Sequence, residues 1–256
     1  MENNAIGTDR IRSILVLAAT IGVIVFNWLA ATGRLGSDTA AISAKYPTLV
    51  TPAGYAFSIW SLIYLGLIAF SIYQLLPANL SRFRSIRSLY IANCALNCAW
   101  LYFWHRDQIA LCFVIMVALW ATLAVICYQL RDTESLRETW IAKAPFGLYF
   151  GWVTAAMFVN LAIMLKFQNV ALSPLAETAL AVVLILVAAA CAVLVRVKLT
   201  NYIYPLAIAW ALTAIAVKQS GHTAVVTAAA LGVIACLIAS LSFVMNLKSS
   251  ETRQAR

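Results

Sequence analysis

Four asparagines and a set of indole and phenol rings stand inside otherwise apolar stretches of this chain, and they are the residues equipped to contact a ligand specifically. Asn27, Asn93, Asn97 and Asn160 carry the amides. Asn93 and Asn97 are four apart, so on a helix both project from one face, and Trp100 and Trp104 extend the same stripe. Tyr149, Trp152, Ala156 and Asn160 share a face in the same way, while Tyr55, Trp60 and Tyr64 add aromatic area elsewhere. A cavity walled by aromatics with a few amide donors suits a flat apolar ligand. The same residue types also serve helix interfaces, with asparagine bonding between helices and tryptophan forming an interfacial belt. The belt accounts for Trp28, Trp104 and Trp140, near segment ends, and less well for Trp60, Trp100 and Trp152. Spacing alone leaves both readings open.

Other chemistry is poorly supplied. The sequence offers no nucleophile–base pair, carboxylate dyad or metal cluster, so no catalytic or metal-binding residues are expected and ordinary acid–base catalysis is disfavoured. The cysteines all fall in apolar segments without a CxxC, as small buried residues do. No Asp, Glu, Lys or Arg lies in the middle of an apolar segment, which argues against a proton relay or ion coupling. Glu177 falls in a first helical turn, where the helix dipole favours an anion, and His105 and His222 sit at segment ends.

The elements that must position these groups follow from composition. Hydrophobic residues make up 64% of the 256 and charged residues 11%, too few charges to cover a soluble surface of this size. Lipid must therefore be the solvent, and in lipid only helices or closed barrels satisfy the backbone. The apolar runs are long and do not alternate, so the expectation is an all-α integral membrane protein. Eight segments approach the roughly 20 residues a crossing needs: 11–32, 53–76, 86–104, 109–130, 141–165, 174–195, 202–217 and 223–247. The seventh is the shortest. The first is long for a signal-peptide core and is interrupted by Asn27–Trp28, so it reads as a retained span. Thr51–Pro52 and Ser173–Pro174 each read as an N-cap followed by proline at the first helical position, and Asp107 as a cap for the fourth span.

The net charge of +9 reflects basic residues placed mainly between spans, where they signal topology; no nucleic-acid partner is expected. Thirteen Lys and Arg fall on one side of the eight-span arrangement and five on the other, which puts both termini in the cytoplasm. The loop from Gly33 to Pro52 is the long one, which suits a lid or binding segment as well as a solvated connector. Composition shifts near Ser173 from Trp/Tyr/Asn-rich to Ala/Val/Leu-rich. The chain accordingly divides into a five-helix membrane domain (1–170), a three-helix membrane segment (171–248) and a cytoplasmic tail (249–256). Gly147 and Gly151 form a GxxxG, for which close helix contact is the default reading, a homodimer being one version of it.

Three motifs, each on its own span, resemble the tryptophan-rich sensory protein/translocator protein family (TspO/MBR, the peripheral-type benzodiazepine receptor). Thr51-Pro-Ala-Gly-Tyr-Ala-Phe-Ser-Ile-Trp60 with Tyr64 is similar to the family's lead-in to its second helix. Asn93, Asn97 and Trp100 resemble its third, and Tyr149-Phe-Gly-Trp152 with Asn160 its fifth. The resemblance covers roughly residues 11–166. Leu148 stands where the family usually has proline, with Pro145 one turn earlier, and the three further spans resemble a longer bacterial form. The resemblance implies a TspO-like bundle of five helices around a ligand pocket, lidded by the first loop. Its ligands would be porphyrin, haem or other flat hydrophobic molecules, and no cofactor would be required. Trp60 and Trp152 would flank the ligand, Asn93, Asn97 and Trp100 would form one wall, and Tyr55 would lie near the lid. Tyr64, Tyr149 and Asn160 complete the candidate binding set. The function implied is a membrane ligand-binding or sensory protein in tetrapyrrole homeostasis or stress. A transporter of an apolar or amphiphilic solute, or a protein of light-dependent porphyrin breakdown, are the alternatives.

Overall fold

A computed structural model describes residues 2–34, 39–133 and 135–254, and the side chains of all of these except 2–6, 40 and 243–254. The residues from 243 onward, with the tail basic residues, thus lie outside the described side chains. The described elements are α1 (Glu2–Ala31), α2 (Thr39–Lys45), α3 (Ile59–Tyr73), α4 (Arg84–Trp104) and α5 (Ile109–Gln129). They continue with the single turn α6 (Leu136–Glu138), α7 (Ala144–Phe167), α8 (Pro174–Leu199), α9 (Tyr204–Lys218) and α10 (Thr223–Gln254). Eight of these correspond to the eight expected segments, and the protein is an all-α membrane protein. Six helical stretches are long and apolar enough to cross a bilayer. The other two fall short for different reasons. α4 begins Arg84-Ser-Ile-Arg87 and carries both inward amides, which lowers its hydropathy, and α9 is apolar but only 15 residues long.

Leu, Ile and Val of the lipid-facing sides stay exposed in this fold (Leu65, Val114, Val197 and Ile238 among them), as a bilayer requires. The inner side is tied by sparse polar contacts. Thr20 on α1 hydrogen-bonds Ser71 of α3 at 2.6 Å and Tyr90 of α4 at 2.8 Å. Thr154 of α7 receives Trp120 Nε1 from α5 at 3.0 Å and the Tyr204 hydroxyl from α9 at 2.8 Å. At the end holding the start of α1, Arg87 is fully buried: it donates to Gln74 Oε1 at 2.8 Å and faces Asp9 at 3.4 Å. Arg84 closes a second ion pair with Asp9.

Helix ends depart from expectation in two places. Ser173 does cap α8, accepting from the Ala176 amide at 3.3 Å with Pro174 in the first turn. Thr51 does not cap a helix: residues 51–53 have no regular structure, the second span opens as a 3-10 turn at Gly54–Ser58, and Thr51 Oγ1 accepts from Thr48 N at 3.0 Å instead. Asp107 does not cap α5 either. It takes φ 55°, a left-handed residue after α4, and faces Lys45 and Tyr46 of the loop. Ahead of Pro145 the backbone widens into a π-helical turn at Thr139–Lys143, so the local irregularity sits before the proline.

α8, α9 and α10 pack on one another, and α9 also packs along α7. The GxxxG explains that approach. A Cβ on Gly147 would overlap the Asn201 side chain, and one on Gly151 would overlap the Tyr204 carbonyl oxygen and come within 2.8 Å of Ala207 Cβ. The close contact expected of this motif is therefore made inside the chain, and this face is closed to a second copy.

Candidate binding cleft

Trp60 is the centre of the aromatic cluster. Trp60 and Tyr64, one turn apart on α3, stack with centroids 5.3 Å apart and planes at 18°. From α7, Tyr149 and Trp152 meet the Trp60 ring edge-on at 5.6 and 6.4 Å. Phe57, in the 3-10 turn, packs edge-on against Trp152 at 5.9 Å. Such offset and edge-on pairs are the favoured aromatic geometries.

The two amides of α4 leave the same face toward different neighbours. Asn97 accepts from Asn27 Nδ2 at 2.8 Å and donates to the Tyr149 hydroxyl at 2.9 Å, tying α1, α4 and α7. Asn93 reaches α5, donating to Thr122 Oγ1 at 2.8 Å, and its own oxygen is buried without a partner among the described residues. One turn beyond Asn97, Trp100 stacks on Trp104 at 5.3 Å and donates to Asn160 Oδ1 at 3.3 Å. Asn160 turns its nitrogen back to Ala156 O at 2.9 Å.

Trp60, Asn97, Trp100, Trp152 and Asn160 line one cavity. Tyr55, Tyr64, Asn93 and Tyr149 are outside its lining. Tyr64 and Tyr149 support Trp60 from behind, Asn93 faces α5, and Tyr55 lies half-exposed with its ring against Trp210 of α9. Sequence reasoning missed Phe57, Met116 and Leu119, and the pair Ala211 and Ile215 from α9. Phe57 was inside a quoted motif. Ala211 and Ile215 carry no signal of their own, because only the docking of α9 on α7 brings them there.

The roof is the first loop. Thr39, Ser43 and Pro52 cover the cavity, and Trp104 Nε1 donates to Thr39 O at 3.3 Å. At the rim, Lys45 pairs with Asp107 at 3.0 Å, and Tyr46 packs edge-on against Phe167 at 5.8 Å. Burial, and then the Asp107 carboxylate, raises the Tyr46 phenol above its ordinary pKa. α9 holds the far edge: Gln219 donates to Thr48 O and Thr51 O at 3.1 Å each, Trp210 to Ala56 O at 2.9 Å, and Ala53 N to Ala214 O at 3.0 Å.

The roofed cavity measures 40 Å³, whereas small-molecule sites usually span about 300–1,000 Å³. Its lining offers indole faces and amides that already bond within the protein, and among the described residues it includes no ionisable side chain. Among the described residues no three His, Cys, Asp or Glu converge as metal ligands. His105 Nδ1 lies 2.8 Å from Leu101 O, away from the cavity, and His222 lines a different one.

No curated protein and no solved structure matches the chain. The family model described as TSPO-like protein matches residues 13–243, a stretch that runs past the fifth span to take in α8, α9 and most of α10. On that match, over an all-helical membrane fold, the chain belongs to the TSPO-like protein family.

Proposed function

We propose that this protein is a ligand-binding, sensory protein of the bacterial inner membrane, with both termini cytoplasmic, whose aromatic cleft takes a flat hydrophobic ligand of the porphyrin or haem class. The observation that carries the reading is the convergence of Trp60, Trp100 and Trp152 with Asn97 and Asn160 on one cavity under a loop. Membership of a family of membrane ligand-binding proteins supports it. Segregation of basic residues to one set of helix ends supports the orientation. A tetrapyrrole is far larger than the roofed cavity, so binding requires the segment 39–58 to lift. A role in tetrapyrrole homeostasis or stress is part of the same proposal, and family membership is what supports it. Residues 171–248 then act as a structural unit that walls and anchors the site through α9.

The test is tryptophan-fluorescence titration of the protein in nanodiscs with protoporphyrin IX, alongside Trp60→Ala and Trp152→Ala. Saturable quenching weakened roughly 5- to 150-fold by either variant is the expected result; each indole face stacked on a ring contributes about 1–3 kcal/mol. Linear, equal quenching in all three proteins refutes a tetrapyrrole site in this cleft.

A further inference from the structure

We propose that a second chamber, walled by the first loop and by α7, α8 and α9, binds a single-chain amphiphile with an anionic head group. It encloses 410 Å³ in the closed structure, within the usual range of small-molecule sites. This inference stands apart from the reading of the aromatic cleft, although Ser43, Pro52 and Phe57 border both cavities.

The lining separates into two ends. Ala162, Leu165, Leu180, Ala181 and Leu184 form a wall that is aliphatic where the neighbouring cleft is indole-rich, so it suits a flexible hydrocarbon chain better than a ring. The polar groups of the lining that could meet a head group gather at the helix ends: Lys166 in the last turn of α7, Glu177 in the first turn of α8, Lys218 closing α9, and His222 just before α10. Lys166 and Glu177 fall at the ends of stretches long and apolar enough to cross a bilayer, where lysines reach for head groups.

Charge selects the sign of the head group. Glu177 is the one carboxylate in the lining, and it faces Lys166 at 3.6 Å. Lys218 is exposed, and among the described residues no carboxylate stands within ion-pair distance of it. The lining thus carries two lysines against one carboxylate, an excess of one positive charge. Gln219 is already committed to Thr48 and Thr51, so Lys218 and His222 remain to meet a ligand's anion. A free fatty acid and an anionic phospholipid share this chemistry.

The experiment is binding of radiolabelled palmitate to the full chain in zwitterionic-lipid nanodiscs, with hexadecanol and hexadecyltrimethylammonium as competitors. Lys218→Gln is expected to weaken palmitate about fivefold, the scale of a solvent-screened charge contact, and to leave hexadecanol competition unchanged. Leu180→Trp, which fills the aliphatic wall, is expected to weaken both, and Trp60→Ala neither. Phosphatidylglycerol in the disc that displaces palmitate at a few molecules per protein assigns the site to a lipid head group; indifference to it assigns a free amphiphile. Palmitate binding that is absent, unaffected by both Lys218→Gln and Leu180→Trp, or matched by the cationic competitor overturns the proposal.

Discussion

Gly151 of α7 faces the carbonyl oxygen of Tyr204 so closely that a Cβ at this position would overlap it, with Ala207 Cβ only 2.8 Å away. A backbone carbonyl in the first turn of a helix cannot rotate aside as a side chain does. Gly151→Ala is therefore expected to push α9 off α7 and to lower stability by about 1–3 kcal/mol, the usual cost of overpacking. Unfolding in mixed micelles measures it, with Gly54→Ala, where a Cβ meets nothing within 4 Å, as the control. Equal stability of the two variants would contradict the interlock.

The two amides of α4 make a sharper comparison. Asn97 holds two side-chain hydrogen bonds, whereas Asn93 holds one strong bond and an unpartnered buried oxygen. Interhelical hydrogen bonds in membranes average about 0.6 kcal/mol, so Asn97→Leu is expected to cost roughly 1–2 kcal/mol and Asn93→Leu close to nothing. The same unfolding assay ranks them, and a larger loss at Asn93 would show that its oxygen has a partner.

The roof should control access rather than stability. The Lys45–Asp107 pair is about half exposed on both sides, and such pairs contribute less than about 1 kcal/mol. Asp107→Asn keeps a side chain tolerant of the left-handed backbone while removing the charge. The expected outcome is an unchanged Tm with protoporphyrin association accelerated severalfold in stopped-flow quenching. An unchanged rate would place ligand entry elsewhere.

α9, the second helix after the fifth span, should matter to the cleft directly. Ala211, buried on α9, lines the same cavity as Trp60 and Trp152. Ala211→Phe is expected to remove porphyrin quenching while circular dichroism keeps the helical signal. Retained wild-type affinity would separate α9 from the ligand.

At the opposite end, Arg87 is fully buried against Gln74 and Asp9. Arg87→Leu strands Asp9 with the exposed Arg84 as its remaining cation, and Asp9→Leu leaves the buried guanidinium with only neutral acceptors. Leaving a buried charge uncompensated typically costs about 3–5 kcal/mol, so Asp9→Leu should unfold well before Arg87→Leu, which leaves Asp9 its close pair with Arg84, and before Arg84→Leu, whose side chain is half exposed. Chemical denaturation of the three variants tests that order.

The fold class, the helical segments and which aromatic and amide residues share a helix face were determined by sequence. Lipid admits little besides helices, and a four-residue spacing sets side chains on one face whatever surrounds them. Tertiary structure decided where those faces lead. Asn93 and Asn97 share a face, yet a small difference in height sends one to α5 and the other to α1 and α7, so just one of them reaches the cavity. Thr51 and Asp107 have the composition of helix caps, but long-range partners and a left-handed backbone recruit them to the loop. The sequence of α9 is a bland Ala/Leu/Ile run; its role as a wall exists because Gly147 and Gly151 let it come close enough to bring Ala211 and Ile215 to the tryptophans. Local periodicity sets what a helix can offer, whereas the identity of its neighbour depends on contacts far apart in the chain, which no local pattern encodes.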